Sequence, residues 1–259
     1  MPNCEVLVQD RKVYPRLAGT ASSSTRFLIN LLMWAISHFF MASVTYREPG
    51  SISASVVVVP GLPSVNGTSL LMEARRVLED HGYQVSIHLP MGTHYSIPLT
   101  EQITTLRKVL EAGQSLGRST HLIGYSLGAI PALMTGSLSS GVMLWDPSAS
   151  PHQVFKTVHY SEERHVYGFE DVELSIAPEV IDDLANIPDM DSIIQKCVAL
   201  TSIVTAGKGG SRLGKEYFSK LPNPGTYVDI AGANHEFTGV DHRNELLAHT
   251  LRELLVRDC

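Results

Sequence analysis

Short apolar runs alternate with longer segments of helical period from Ser53 to the C-terminus. Ser53–Pro60 reads SASVVVVP, and its consecutive valines predict a strand covered on both faces, as in a parallel sheet. Gly61-Leu62-Pro63 ends that strand, and Ser69–His81 predicts the following helix. Further strands are predicted at Gln84–Leu89, His121–Gly124, Gly141–Trp145, Leu200–Ala206 and Thr226–Ile230. Helices are predicted at Leu99–Ala112 and Leu127–Met134, with a short one closing over Tyr217–Leu221 and a last one at Arg243–Val256. Leu246, Leu247, Leu251, Leu254 and Leu255 give that last helix one buried stripe. The alternation predicts an α/β chain: a mostly parallel central sheet with helices on both faces.

Two segments depart from this rhythm. Phe27–Met41 reads FLINLLMWAISHFFM, strongly apolar but shorter than the roughly 20 residues a spanning helix needs. It is read as a helix packed on or near the core, with a membrane-interface or lid helix and a spanning anchor as the alternatives. Strand candidates Glu5–Gln9 and Ser43–Arg47 flank it, and Ser22-Ser23-Ser24-Thr25 precedes it as a capping segment. The second departure is Pro151–Lys196, with ten acidic residues and the aromatics Phe155, Tyr160, Tyr167 and Phe169. A structureless loop of that length is unusual in a compact domain, so a small, mostly helical inserted cap is expected there. Its acidic residues read as solvated faces. The expected organisation is an N-terminal strand and helix over 1–42, core over 43–150, cap over 151–197 and core again over 198–259.

Composition narrows the function. The 259 residues are 44% hydrophobic and carry a net charge of −6, which gives no general electrostatic basis for binding nucleic acid. Cys4, Cys197 and Cys259 form no close pair, so neither a disulfide framework nor a zinc knuckle is expected, and a reducing, cytoplasmic setting fits. The helix at 27–41 leaves peripheral membrane association as a further expectation.

The chemistry centres on Gly124-Tyr125-Ser126-Leu127-Gly128, directly after one apolar run and directly before another. A strand would deliver the serine, a tight turn would expose it, and a helix N-terminus would lie behind it. Serine is a poor nucleophile at neutral pH and needs a base for its proton and dipoles for the developing oxyanion. The Leu127 N–H is the first expected oxyanion donor. The second is the Leu62 N–H, because Gly61 permits close backbone approach and Pro63 has no N–H. A plain glycine turn is the structural alternative at both places.

With Gly124–Gly128, Pro60-Gly61-Leu62 and Gly232-Ala233-Asn234-His235, the stretch Ser43–Val256 resembles the α/β-hydrolase family. That resemblance implies an α/β-hydrolase fold with the cap inserted after the strand ending at Trp145. It departs from the family at Pro60-Gly61, where a His-Gly pair is common. The order of such triads is serine, acid, histidine, and the resemblance makes His235 the general base. The acid most often follows the penultimate strand, which here reads Gly207-Lys208-Gly209-Gly210-Ser211-Arg212 and has no carboxylate. Asp146, at the end of the preceding core strand, becomes the expected acid; the alternatives are that Asp146 only caps the turn before the insert, that Glu216 or a cap carboxylate serves, or that a dyad works without an acid. Tyr125 and His94 are the expected substrate-contacting side chains. No metal or cofactor is expected, since no histidine–carboxylate group has ligand spacing.

The expected activity is cleavage of a carboxylic ester or thioester of an apolar or amphipathic small molecule, through an acyl-enzyme on Ser126. Acyl transfer, lyase or cyclase chemistry on the same scaffold, or a non-catalytic binding protein, are the competing classes. Neither the substrate nor the oligomeric state is encoded in an evident motif.

Overall fold

Apolar residues facing both ways from a parallel sheet organise the fold. The computed structural model describes residues 54–62, 65–88, 94–148, 159–161, 166–169, 172–208 and 210–258. Along the chain the elements are β1 (Ala54–Val59), α1 (Val65–Asp80), β2 (Gln84–Ile87), β3 (His94–Tyr95), α2 (Leu99–Ser115), β4 (Ser119–Tyr125), α3 (Ala129–Thr135), β5 (Gly141–Trp145), β6 (His159–Ser161), β7 (Val166–Phe169), β8 (Val172–Ile176), α4 (Pro178–Asn186), α5 (Met190–Lys196), β9 (Thr201–Ala206), α6 (Ser211–Lys220), β10 (Pro224–Ile230) and α7 (Val240–Arg257). The predicted elements Glu5–Gln9, Phe27–Met41 and Ser43–Arg47 lie outside the described residues. Among the described residues no helix is long and apolar enough to cross a membrane.

The main sheet has the order β10-β9-β5-β4-β1-β2, and every neighbouring pair is parallel. The valine run shows why both faces are covered. Val57 and Val59 join Leu122, Leu144 and Ile203 in one apolar cluster, with Leu106 of α2, Leu133 of α3 and Tyr217 of α6. Val56 and Val58 join Ile123, Met143, Trp145 and Val204 in the other, with Leu70 and Leu78 of α1 and Leu246 and Leu254 of α7. Each strand residue thus alternates between layers, as the pleat requires. The strand order reverses between β1 and β4, so a crevice is expected outside their C-terminal ends.

The insert contains strands as well as the helices expected of it. β6, β7 and β8 form a second sheet with β3, in the order β3-β8-β7-β6. β8 runs parallel to β3 and antiparallel to β7, which in turn is antiparallel to β6. The cause is local: Val166, Tyr167 and Phe169, then Val172, Leu174 and Ile176, give two β-prone runs around Glu170-Asp171.

The helical half of the insert belongs to the main core. Val180, Leu184, Met190, Ile193 and Ile194 are buried in the same cluster as Leu106 and Leu133. Several of its acids are engaged rather than merely solvated. Asp189 caps α5 by accepting from Ser192 N at 2.8 Å. Asp183 of α4 caps α2 from another part of the chain, accepting from Thr100 N at 3.0 Å and from Thr100 Oγ1 at 2.5 Å. Asp191 pairs with Lys220 of α6 at 2.7 Å.

The N-terminal edge of the sheet is closed by polar clasps. His121 is fully buried, and its Nε2 lies 2.8 Å from Asp258 Oδ1, just beyond α7. Arg257 donates to the Val142 carbonyl at 3.2 Å and to Ser202 Oγ at 2.8 Å.

Candidate active site

Strand β4 ends where the pentapeptide begins, with Gly124 in register with Val59 on one side and Leu144 on the other. Ser126 stands at the turn with φ 55°, in the left-handed region that a non-glycine residue enters at a cost of about 1–3 kcal/mol. A short 3₁₀ turn, Ser126–Gly128, leads directly into α3. Gly61 explains how close the β1 loop comes: a Cβ there would lie 2.6 Å from Ser126 Cβ and 2.9 Å from the Leu127 nitrogen. Pro60-Gly61-Leu62 therefore runs against the serine and the Leu127 amide. Leu62 itself is half-buried and packs on the apolar cluster.

The three side chains named from sequence meet at this edge. His235 Nε2 lies 2.9 Å from Ser126 Oγ, and His235 Nδ1 lies 2.5 Å from Asp146 Oδ2. Asp146 is 4% exposed, whereas the His235 side chain is 50% exposed. The carboxylate is held from behind: Ala206 N donates to Oδ1 at 2.9 Å, and Asp146 N donates to the Val204 carbonyl at 2.7 Å. Asp146 also carries a positive φ, 39°. Both of its oxygens are thus engaged, which a buried carboxylate requires.

The carboxylate-free loop after β9 has a steric explanation. A Cβ on Gly210 would collide with Asp146 Oδ1 and Cγ. The loop gives the Asp146 carboxylate its space and, through Ala206, a hydrogen bond. Glu216, one of the alternatives, instead pairs with Lys220 on α6 at 2.7 Å.

Tyr125, expected as a substrate contact, lies against His235. It is buried, its hydroxyl donates to the His235 carbonyl at 3.0 Å, and its ring stacks on the imidazole with centroids 5.5 Å apart. Burial, then the negative charges of Glu236 and Asp146, push its phenol above the usual range, so it remains a donor. Phe237, fully buried with φ 47°, anchors the same loop, and its N–H donates to the Asn234 carbonyl. His94 stands on β3, paired with Ser175 of β8.

An open cleft of about 450 Å³ lies beside the acid and the histidine, lined by Asp146, Pro147, Ser148, Lys208, Gly210, Asn234 and His235. Among the described residues no group of three or more His, Cys, Asp and Glu side chains is arranged to hold a metal ion.

Neither a family model nor a curated relative matches the chain by sequence. Solved structures do match its fold. Est1E from Butyrivibrio proteoclasticus superposes with a TM-score of 0.65 at 10% identity, over 82% of this chain and 91% of that one. The esterase domain of a Rhodothermus marinus protein gives 0.62 at 14% identity, over 82% and 90%. A dienelactone hydrolase from Anabaena variabilis gives 0.52 at 11% identity, over 78% and 85%. The chain therefore has the α/β-hydrolase fold: a parallel sheet between helical layers, with the strand-to-helix elbow at the C-terminal edge.

Proposed function

We propose that this protein is a serine hydrolase that cleaves a carboxylic ester or thioester of an apolar or amphipathic small molecule. The observation that carries the reading is the relay Asp146–His235–Ser126, with contacts of 2.5 and 2.9 Å at the C-terminal edge of the sheet. Ser126 Oγ attacks the carbonyl carbon and its proton passes to His235 Nε2. The Leu127 and Leu62 N–H groups receive the oxyanion. His235 then gives that proton to the departing oxygen or sulfur, leaving the acyl group on Ser126. Water, deprotonated by His235, attacks the acyl carbon; Ser126 leaves and recovers the proton. Asp146 orients the imidazole and stabilises its charged form. In this reading Tyr125 positions His235 and touches no substrate.

The names of this chain's neighbours in fold, an esterase domain and a dienelactone hydrolase among them, support ester chemistry on this scaffold. A fluorophosphonate probe tests the reading. It is expected to add one phosphonyl group at Ser126, found by peptide mass spectrometry, and none in Ser126→Ala. An unlabelled protein that turns over no activated ester would refute it. Product analysis with and without an acceptor alcohol distinguishes hydrolysis from acyl transfer.

A further inference from the structure

The cleft beside His235 is lined by donors that lack protein acceptors among the described residues. Lys208 follows β9, with its backbone fixed by donation to the Ala233 carbonyl at 2.9 Å. Its side chain is exposed and forms no ion pair among the described residues, unlike Lys220, which Asp191 and Glu216 hold. Asn234 uses its side-chain oxygen to accept from Thr238 N at 2.9 Å and Thr238 Oγ1 at 3.2 Å. That leaves its NH₂ as a donor. The Ser148 hydroxyl is buried and without a partner among the described residues, while its backbone is fixed to Ser126 and Tyr217.

The carboxylate on this wall is already engaged. Asp146 has one oxygen on His235 and the other on Ala206 N. Gly210 opens α6, whose first turn contains no acid, so the positive end of that helix dipole adds to the same wall. A lysine and an amide NH₂ on one cleft wall are complementary to an acceptor with two oxygens and a negative charge. The position of the cleft indicates which part of the substrate carries that charge. His235 hands its proton to the departing atom, so the departing portion lies beside His235, one of the residues that line this cleft.

We propose that this cleft receives a carboxylate on the leaving-group side of the substrate, with Lys208 as its counter-ion. The preferred substrates are then acyl esters of hydroxy-carboxylic acids, cleaved to the acid of the acyl group and a free hydroxy-carboxylate. The inference rests on the esterase reading above.

The test compares 4-acetoxybenzoate with its methyl ester, which lacks the charge. The ratio of kcat/KM for the two is taken within each variant, which cancels their different intrinsic reactivities. Lys208→Met is expected to lower the charged-to-neutral ratio about threefold, the size of one partly exposed charge pair. Lys208→Glu is expected to lower it further, and Lys208→Arg to retain it. Salt at about 0.5 M is expected to bring the unmodified protein's ratio toward that of Lys208→Met. A ratio unchanged by Lys208→Met and Lys208→Glu overturns the inference while leaving the esterase reading standing. Loss of turnover on both esters, with no fluorophosphonate on Ser126, overturns the esterase reading and this inference together.

Discussion

Gly210→Ala isolates the support of the acid without replacing any proposed catalytic residue. Gly210 has φ −82° and ψ −19°, a conformation alanine adopts freely, so the backbone imposes no penalty. The conflict is at the side chain, where the new methyl would overlap Asp146 Oδ1. Asp146 is 4% exposed and held by contacts at both oxygens, so its carboxylate must shift by roughly 1 Å or more to clear the methyl. Such a shift strains both the 2.9 Å bond from Ala206 N and the 2.5 Å contact with His235. A displacement of that order costs about 10²-fold in rate, or about 2.7 kcal/mol of transition-state stabilisation. Removing the acid's function altogether sets the upper bound at about 10⁴-fold. The assay is kcat/KM on 4-nitrophenyl acetate, paired with the rate of fluorophosphonate labelling and a urea melt. A double-mutant cycle with Asp146→Asn completes it: the double variant is expected to be no slower than Asp146→Asn alone, because both act through one carboxylate. If Gly210→Ala keeps activity within about threefold of the parent, the carboxylate does not depend on that space, and the argument fails.

Two further perturbations read other parts of the structure. Tyr125→Phe removes the hydroxyl that donates to the His235 carbonyl but keeps the stacked ring. Its expected effect is a severalfold loss, about 1 kcal/mol, borne by kcat rather than KM. A selective rise in KM would instead indicate direct substrate contact. Asp258→Asn tests the clasp on His121. Burial raises the Asp258 carboxyl, but hydrogen bonding and charge from His121, with help from Tyr83 and Ser119, outweigh it and hold the group below its ordinary value. A depressed folded value contributes stability above the unfolded pKa of about 3.9, lost as pH falls through the lower folded value. Asp258→Asn is therefore expected to flatten the stability-versus-pH curve in that acid window, measured by urea midpoints. An unchanged slope there would count against the clasp.

The sheet was largely legible because each of its strands is a compact apolar run between polar breaks. Gly141–Trp145 has the predicted bounds, and the valine strand differs by one residue at each end. Helix ends shifted more: the predicted Arg243–Val256 became Val240–Arg257, since polar first turns carry no apolar signal. In the insert, the alternation of Val172, Leu174 and Ile176 is the signal of the second sheet, and it is short beside the helical segments that follow. At the site, the displaced acid could be inferred from an absence, the missing carboxylate between Gly207 and Arg212. What filled that space could not be inferred, because a glycine required by another strand's side chain leaves no local pattern. Tyr125 had a readable signal. It lies two residues from Ile123 on one strand, so both face the layer of α1 and α7, and that alternation argued for burial.

Placing a carboxylate at the end of β5 has consequences for the loop after β9. An acid carried by that loop would have needed its own bends and donors to reach the histidine. With Asp146 reaching across instead, the loop contributes the Ala206 N–H and the bare backbone of Gly210. Its side chains are then free of the proton relay, and Lys208 stands on the cleft wall without a structural ion pair among the described residues. On the proposed assignments, the groups that support Asp146 and the residue that selects the leaving group lie together at the end of β9 and in the short loop after it. Changes at Gly210 should therefore act on the rate for charged and neutral esters alike, while changes at Lys208 should act on the ratio between them. The separation of those two effects is the measurable consequence of moving the acid by one strand.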